Sequence, residues 1–241
     1  LRELTRMRTP SLPGPTPENR LAQKPGELLV LDGWPLPHKA VGTGHDYLEL
    51  GADEKSGYGF VASTCKHTAD EWLLFVRSVV AASTIINPDC VLRAVRTDGA
   101  GEFHNAEGWV KQLLLLQPPV QAQRSPSRHH HAVGKASAMQ LELARISNHQ
   151  MQRVGRNTSF LIHSIKYANV LRNVRPLRDG NTRFKLFSGG KEADVSRLKI
   201  WGCDAFALVE KEARVHLAPG TVSVKGVFVG IEGKTWKVWA D

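Results

Sequence analysis

Apolar positions in this chain recur with two periods, and the order in which those periods alternate outlines a fold. From Glu27, "ELLVLDGWPLP" is a short apolar run stopped by Asp32-Gly33 and two prolines, which predicts a strand. "HDYLELGADEKSGYGFVAST" holds two β-rich runs around the polar stretch Asp53 to Gly57, the pattern of a hairpin. In "TADEWLLFVRSVVAASTIIN" the period lengthens: Trp72, Phe75, Val76, Val79 and Val80 share one side of a helix, with Thr68 placed to cap it. "CVLRAVRTDG" predicts a further strand running into Asp98, "AEGWVKQLLLL" a short helix and "PVQAQRS" one more strand. A polar loop, "SPSRHHHAVG", leads into a long helix over Lys135 to Val154. Met139, Leu143, Ile146 and Gln150, with Leu141 and Ala144 alongside, mark its buried face. "SFLIHSIKYANVLRNV" predicts another helix, ending before Pro176.

After Asp179-Gly180 the segments shorten. "LKIWGCDAFALVEK", "KGVFVG" and "TWKVWAD" are β-rich runs separated by glycine and charge, as in a small all-β module. The chain thus divides into a basic, proline-rich arm over 1–26, a mixed α/β domain over 27–178 and a C-terminal extension with a small β module over 179–241. With 41% hydrophobic residues in 241, there is ample material for a packed core. The formal net charge of +9 is spread along the chain rather than gathered in one tail. Such an excess favours a polyanionic partner, because each neutralised phosphate releases condensed counterions. Cys65, Cys90 and Cys203 include no close pair, which argues against a disulfide framework and a thiolate zinc site and suits a reducing compartment. The longest apolar runs, such as "LLLL" at 113–116, are far too short to span a bilayer, so no membrane partner is expected; nor is there an apolar stretch suited to a secretory signal.

Two acids stand out. Asp32 and Asp98 each follow an apolar strand and precede glycine, so each carboxylate belongs at a strand end where the backbone can bend away. If the strands are neighbours, both acids project into one site. Two carboxylates held close repel unless a cation lies between them, and Mg²⁺ takes oxygen ligands of this kind. Such a pair is the minimum equipment for two-metal phosphoryl transfer. Either aspartate alone could equally cap a strand or open a turn.

The element order (strand with Asp, two hairpin strands, helix, strand with Asp, later a long helix) is that of a ribonuclease-H-like core. "ELLVLDGWPLP", "YLELGADEKSGYGFV", "RTDGAGEF" and "DVSRLKIWGCDAFALVEKEARVHLAPGTVSVKGVFVG" resemble the integrase of copia-type long-terminal-repeat retrotransposons, from about Glu27 to Asp241. The resemblance implies a ribonuclease-H-like mixed five-stranded sheet flanked by helices, followed by a small SH3-like β-barrel. It also implies a DDE-type polynucleotidyl transferase that uses Mg²⁺ or Mn²⁺ to process 3′ ends of element DNA and join them to target DNA. The enzyme would act as a homo-oligomer in the nucleus, on DNA and on no small-molecule substrate. Asp32 then matches the first metal ligand and Asp98 the second.

The family's third ligand is a glutamate, with thirty-five residues between it and the second acid; here that position is Gly134. "LELAR" at 141–145 matches the family's wording downstream and confirms the register, and Ala136, Ser137 and Ala138 replace polar or basic residues that lie against DNA. Activity is therefore expected to be weak or lost, with a nucleic-acid-binding or assembly module, relic or co-opted, as the alternative. Glu142 is eight residues along the same helix and poorly placed to substitute. Glu102 matches a glutamate the family also keeps, and His131 offers nitrogen where Mg²⁺ prefers oxygen. Arg124, Arg128, Lys135, Arg153 and Arg156 flank the site and its helix and are the candidate DNA contacts, against the alternative of a solvated face. Trp34, Trp109, Trp201, Trp236 and Trp239 are read mainly as packing residues.

Overall fold

Two antiparallel connections, the second of them short, and two helical crossovers generate the main sheet. The computed structural model describes residues 22–97, 107–124, 134–208, 222–233 and 235–240. Strands β1 (Leu28–Pro35), β2 (Tyr47–Asp53) and β3 (Gly59–Thr64) form an antiparallel meander. Strand β4 (Ala94–Thr97) then joins β1 in parallel, and β5 (Gln121–Arg124) joins β4 in parallel. Parallel neighbours require long connections, and these contain α1 (Ala69–Ile86) and α2 (Glu107–Leu114). The resulting five-stranded order is β3-β2-β1-β4-β5.

Local chemistry explains the early elements. The β2–β3 turn is tied by Asp53, whose carboxylate accepts from Ser56 N at 2.7 Å, Ser56 Oγ at 2.6 Å and Gly26 N at 2.7 Å. Burial pushes the Asp53 pKa up, while these bonds oppose the rise. Thr68 caps α1, its side chain accepting from Glu71 N, as the sequence predicts.

Each sheet face carries a helical layer. Leu29 and Leu31 pack with Trp72, Phe75, Val76 and Val79 of α1 and with Trp109 and Leu113 of α2. The intervening Val30 and the alternate residues Leu48, Leu50 and Ala52 face the other way, as strand pleating requires. They meet α3 (Gly134–Val154), through Ala136, Met139 and Leu143, and α4 (Leu161–Val174), through Ile162, Ile165 and Ala168. The buried stripe of α3 differs from expectation at Leu141, which is 62% exposed. It lies two residues from both Met139 and Leu143, roughly 200° round the helix from each, so it must face outward. Ser147, fully buried, continues the stripe instead.

A three-stranded antiparallel sheet follows the short helix α5 (Arg183–Phe187), with order β6 (Asp204–Leu208), β7 (Ser223–Glu232), β8 (Thr235–Trp239). Val227, Phe228 and Val229 pack it on Phe160 and Tyr167. The "LKIW" run expected to begin its first strand is not part of it: Trp201 lies in a turn, 3% exposed, and the strand begins at Asp204. Trp109 is buried as expected for a packing residue, whereas Trp236 is 49% exposed.

One polar residue breaks the apolar lining of the α1 face. Glu49 is 3% exposed, its Oε1 has no hydrogen-bond partner among the described residues, and Glu71 of α1 adds like charge. Burial above all, with Glu71 behind it, lifts its pKa from 4.5 to about 7. A folded-state pKa raised above the unfolded value means that the unfolded chain loses this proton first. The penalty is absent below pH 4.5, grows between 4.5 and 7, and is complete above 7. Glu49→Gln is therefore expected to gain stability over the natural chain as pH rises through this window, on the order of 3 kcal/mol by pH 8. Urea denaturation of both forms from pH 4 to 8 checks this; parallel curves would refute it.

Candidate active site

The pleat that buries Val30 against α3 and α4 also turns Asp32, two residues on, to the same face. Its half-buried carboxylate accepts from its neighbour Gly33 N at 2.9 Å through Oδ1 and from Ser137 Oγ at 3.2 Å through Oδ2. Ser137 belongs to the first turns of α3, which Ala136 and Met139, both fully buried, seat on the sheet. Gly134 opens that helix three residues earlier, and positions i and i+3 share a helix face. A Cβ built at Gly134 meets no atom of the described residues within 4 Å. The position expected to hold the third acid therefore starts the helix that touches Asp32, and it has room for a side chain.

Ser137 was legible only as a lost polar or basic position; its bond to Asp32 depends on packing between elements 105 residues apart. The spacing from Gly134 was the available clue. Asp98 and Arg128 lie outside the described residues, as do Glu102 and His131. Arg124 ends β5, in register with Thr97. Lys135 donates its ammonium to the Glu54 carbonyl in the β2–β3 turn. Arg153 lies at the other end of α3, nineteen residues from Gly134 or about 28 Å along the axis. Arg156 follows it, its guanidinium 5.8 Å from the centre of the Phe160 ring. Among the described residues the basic set is thus dispersed.

Glu142 is committed elsewhere. Its carboxylate accepts from Arg172 at 2.9 Å, Arg175 at 2.7 Å and Arg183 at 3.0 Å, tying α3 to the end of α4 and to α5. Held by three guanidiniums, it is not a replacement for the missing acid.

Asp32 and Ser137 offer hard oxygen donors, the chemistry that Mg²⁺ or Mn²⁺ selects. Among the described residues no three His, Cys, Asp or Glu side chains cluster to hold a metal ion. The donors described thus fit a divalent cation in kind and supply one carboxylate of the set. None of the described helices is long and apolar enough to cross a membrane.

No family model matches the chain, and no curated protein matches it. Solved structures do. A chain of the simian T-cell lymphotropic virus intasome, in complex with the PP2A regulatory subunit B56 gamma, superposes with a TM-score of 0.60 at 11% identity, over 96% of this chain and 82% of that one. The HTLV-2 integrase catalytic core domain in complex with magnesium matches in its dimeric form (TM-score 0.50) and its trimeric form (0.51). Both have 14% identity, over 68% of this chain and 98% of theirs. At these identities the likeness concerns the fold. The chain has the ribonuclease-H-like mixed sheet of retroviral integrase catalytic cores, and its second, three-stranded sheet is consistent with a small C-terminal β domain.

Proposed function

We propose that this chain is the catalytic-core region of a copia-type retrotransposon integrase whose acid set is incomplete. In this reading residues 27–178 form the core, and residues 179–241 carry an SH3-like module. The observation that carries the reading is the contact of Asp32 with the turn of α3 that Gly134 opens. Strand register adds support. Val30 pairs with Arg96; Asp32 is two residues past Val30, and Asp98 is two residues past Arg96.

Asp32 and Asp98 would hold Mg²⁺ or Mn²⁺. When bound, such ions offset the charge that builds on the attacking and leaving oxygens of a phosphodiester. Asp32 supplies negative charge at a strand end, and the Ser137 hydroxyl orients its Oδ2. Gly134 supplies nothing, so the site is short of one anionic ligand. The chain would bind DNA through its positive charge and turn it over weakly or not at all. The HTLV-2 core is described in dimeric and trimeric forms and the simian virus protein in an intasome, which supports a homo-oligomer as the working state. In this reading the partners are element ends and target DNA, met in the nucleus.

Metal binding tests the reading without relying on turnover. Titrating Mn²⁺ into the chain is expected to raise its Tm, and Asp32→Asn to weaken the apparent affinity by about tenfold or more. An unchanged Tm at saturating Mn²⁺, or an equal response from Asp32→Asn, would contradict it.

A further inference from the structure

A second feature lies at the other end of α3. A cavity of about 580 Å³ opens between the last turns of α3, the middle of α4 and the segment 199–201. Its apolar part comes from Ile146, Leu171, Ile200 and Trp201. Its polar part is basic: Arg145, His149 and Arg153 line it from α3, Lys199 contributes from the facing segment with its ammonium 5.3 Å from the centre of the Trp236 ring, and no acidic side chain contributes among the described residues. None of the three α3 residues is paired with a carboxylate among the described residues. They recur every fourth position, which sets them roughly 6 Å apart in a single row.

The walls are fixed by buried bonds. Tyr167, 1% exposed, donates its hydroxyl to Lys199 O at 2.6 Å and accepts from Lys199 N at 3.0 Å. Trp201 Nε1 donates to Val229 O at 3.1 Å. One lining group is left unsatisfied. The Gln150 side-chain oxygen accepts from Ser164 Oγ at 2.7 Å, while its amide nitrogen is buried with no hydrogen-bond partner among the described residues.

We infer that this cleft docks an acidic amphipathic peptide segment of a partner protein, with acids repeating every fourth residue of a helix beside an apolar edge. The acids match the spacing of Arg145, His149 and Arg153, and the apolar edge covers Ile146, Leu171 and Ile200. A second copy of this chain offers no such segment: no described helix carries acids four residues apart. Nucleic acid would supply phosphates but fits the rest poorly. The cavity's aromatic residues, Tyr167 and Trp201, are 1% and 3% exposed and present no face on which a base could stack.

The test is fluorescence anisotropy with a labelled synthetic helix bearing Glu at every fourth position next to Leu, at physiological salt, against the full chain. Arg145→Glu combined with Arg153→Glu, and separately Ile200→Ser, alter exposed side chains; the Ile200 side chain is 55% exposed, so folding should survive. Each is expected to weaken binding by about tenfold or more, and a peptide with Gln in place of Glu should fail to bind. Unlabelled duplex DNA should not displace the peptide. No saturable binding, equal binding by the variants, or displacement by DNA with a parallel loss of DNA affinity in the charge-reversal variant would overturn the assignment. The last result would make the cleft a nucleic-acid surface.

Discussion

Glu142→Ala is expected to destabilise the chain by about 3–5 kcal/mol, the loss typical of breaking a buried ion pair from one side. The Glu142 side chain is 21% exposed, and those of Arg172 and Arg183 only 5% and 14%. Removing the carboxylate leaves two sequestered guanidiniums facing each other. Burial above all, and after it the charge of Arg183, bring the Arg172 pKa down to about 10, and Glu142 is what opposes both. Remaining bonds, from Arg172 to Gly57 O at 2.8 Å and from Arg183 to Arg172 O at 3.0 Å, satisfy protons but not charge. Glu142→Gln should therefore cost nearly as much as Glu142→Ala. Arg175→Ala, whose side chain is 59% exposed, should cost less than about 1 kcal/mol. Equilibrium urea unfolding distinguishes these variants. A loss below 1 kcal/mol for Glu142→Gln would show that the arginines are held by packing rather than by this carboxylate.

The clamp illustrates where the sequence stops being legible. Helix α1, its Thr68 cap and the Asp53 turn were all readable, because each depends on residues within a few positions of one another. The Asp32 strand end was readable too, since strand alternation alone assigns its face. In the sequence Glu142 shows only as an acid eight residues past Gly134; its partners come from residues thirty to forty-one positions away. Nothing local marks Glu49 within the hairpin, and only the seating of α1 against β2 buries it. Leu141 failed for a related reason. Its apolar side chain suggests the core, while its phase on the helix points it outward. At the candidate site, the absence of an acid at Gly134 could be counted from Asp98, but the Ser137 hydroxyl on Asp32 could not, because that bond exists only once α3 packs across the sheet.

In the proposed reading, position 134 is the vacant third corner of an acid site built on Asp32. A glutamate there has space among the described residues, none of which comes within 4 Å of a Cβ, and it shares a helix face with Ser137, which already touches the Asp32 carboxylate. The most direct measurement is divalent-metal-dependent strand transfer on a DNA end substrate, in Mg²⁺ and in Mn²⁺, comparing the natural chain with Gly134→Glu and with Gly134→Glu combined with Asp32→Asn. The natural chain should be weak or silent. Gly134→Glu should raise the rate by about 10²–10³-fold, the scale set by restoring one charge-stabilising group, and adding Asp32→Asn should abolish the gain. Robust strand transfer by the natural chain, unaltered by Gly134→Glu, would contradict the account.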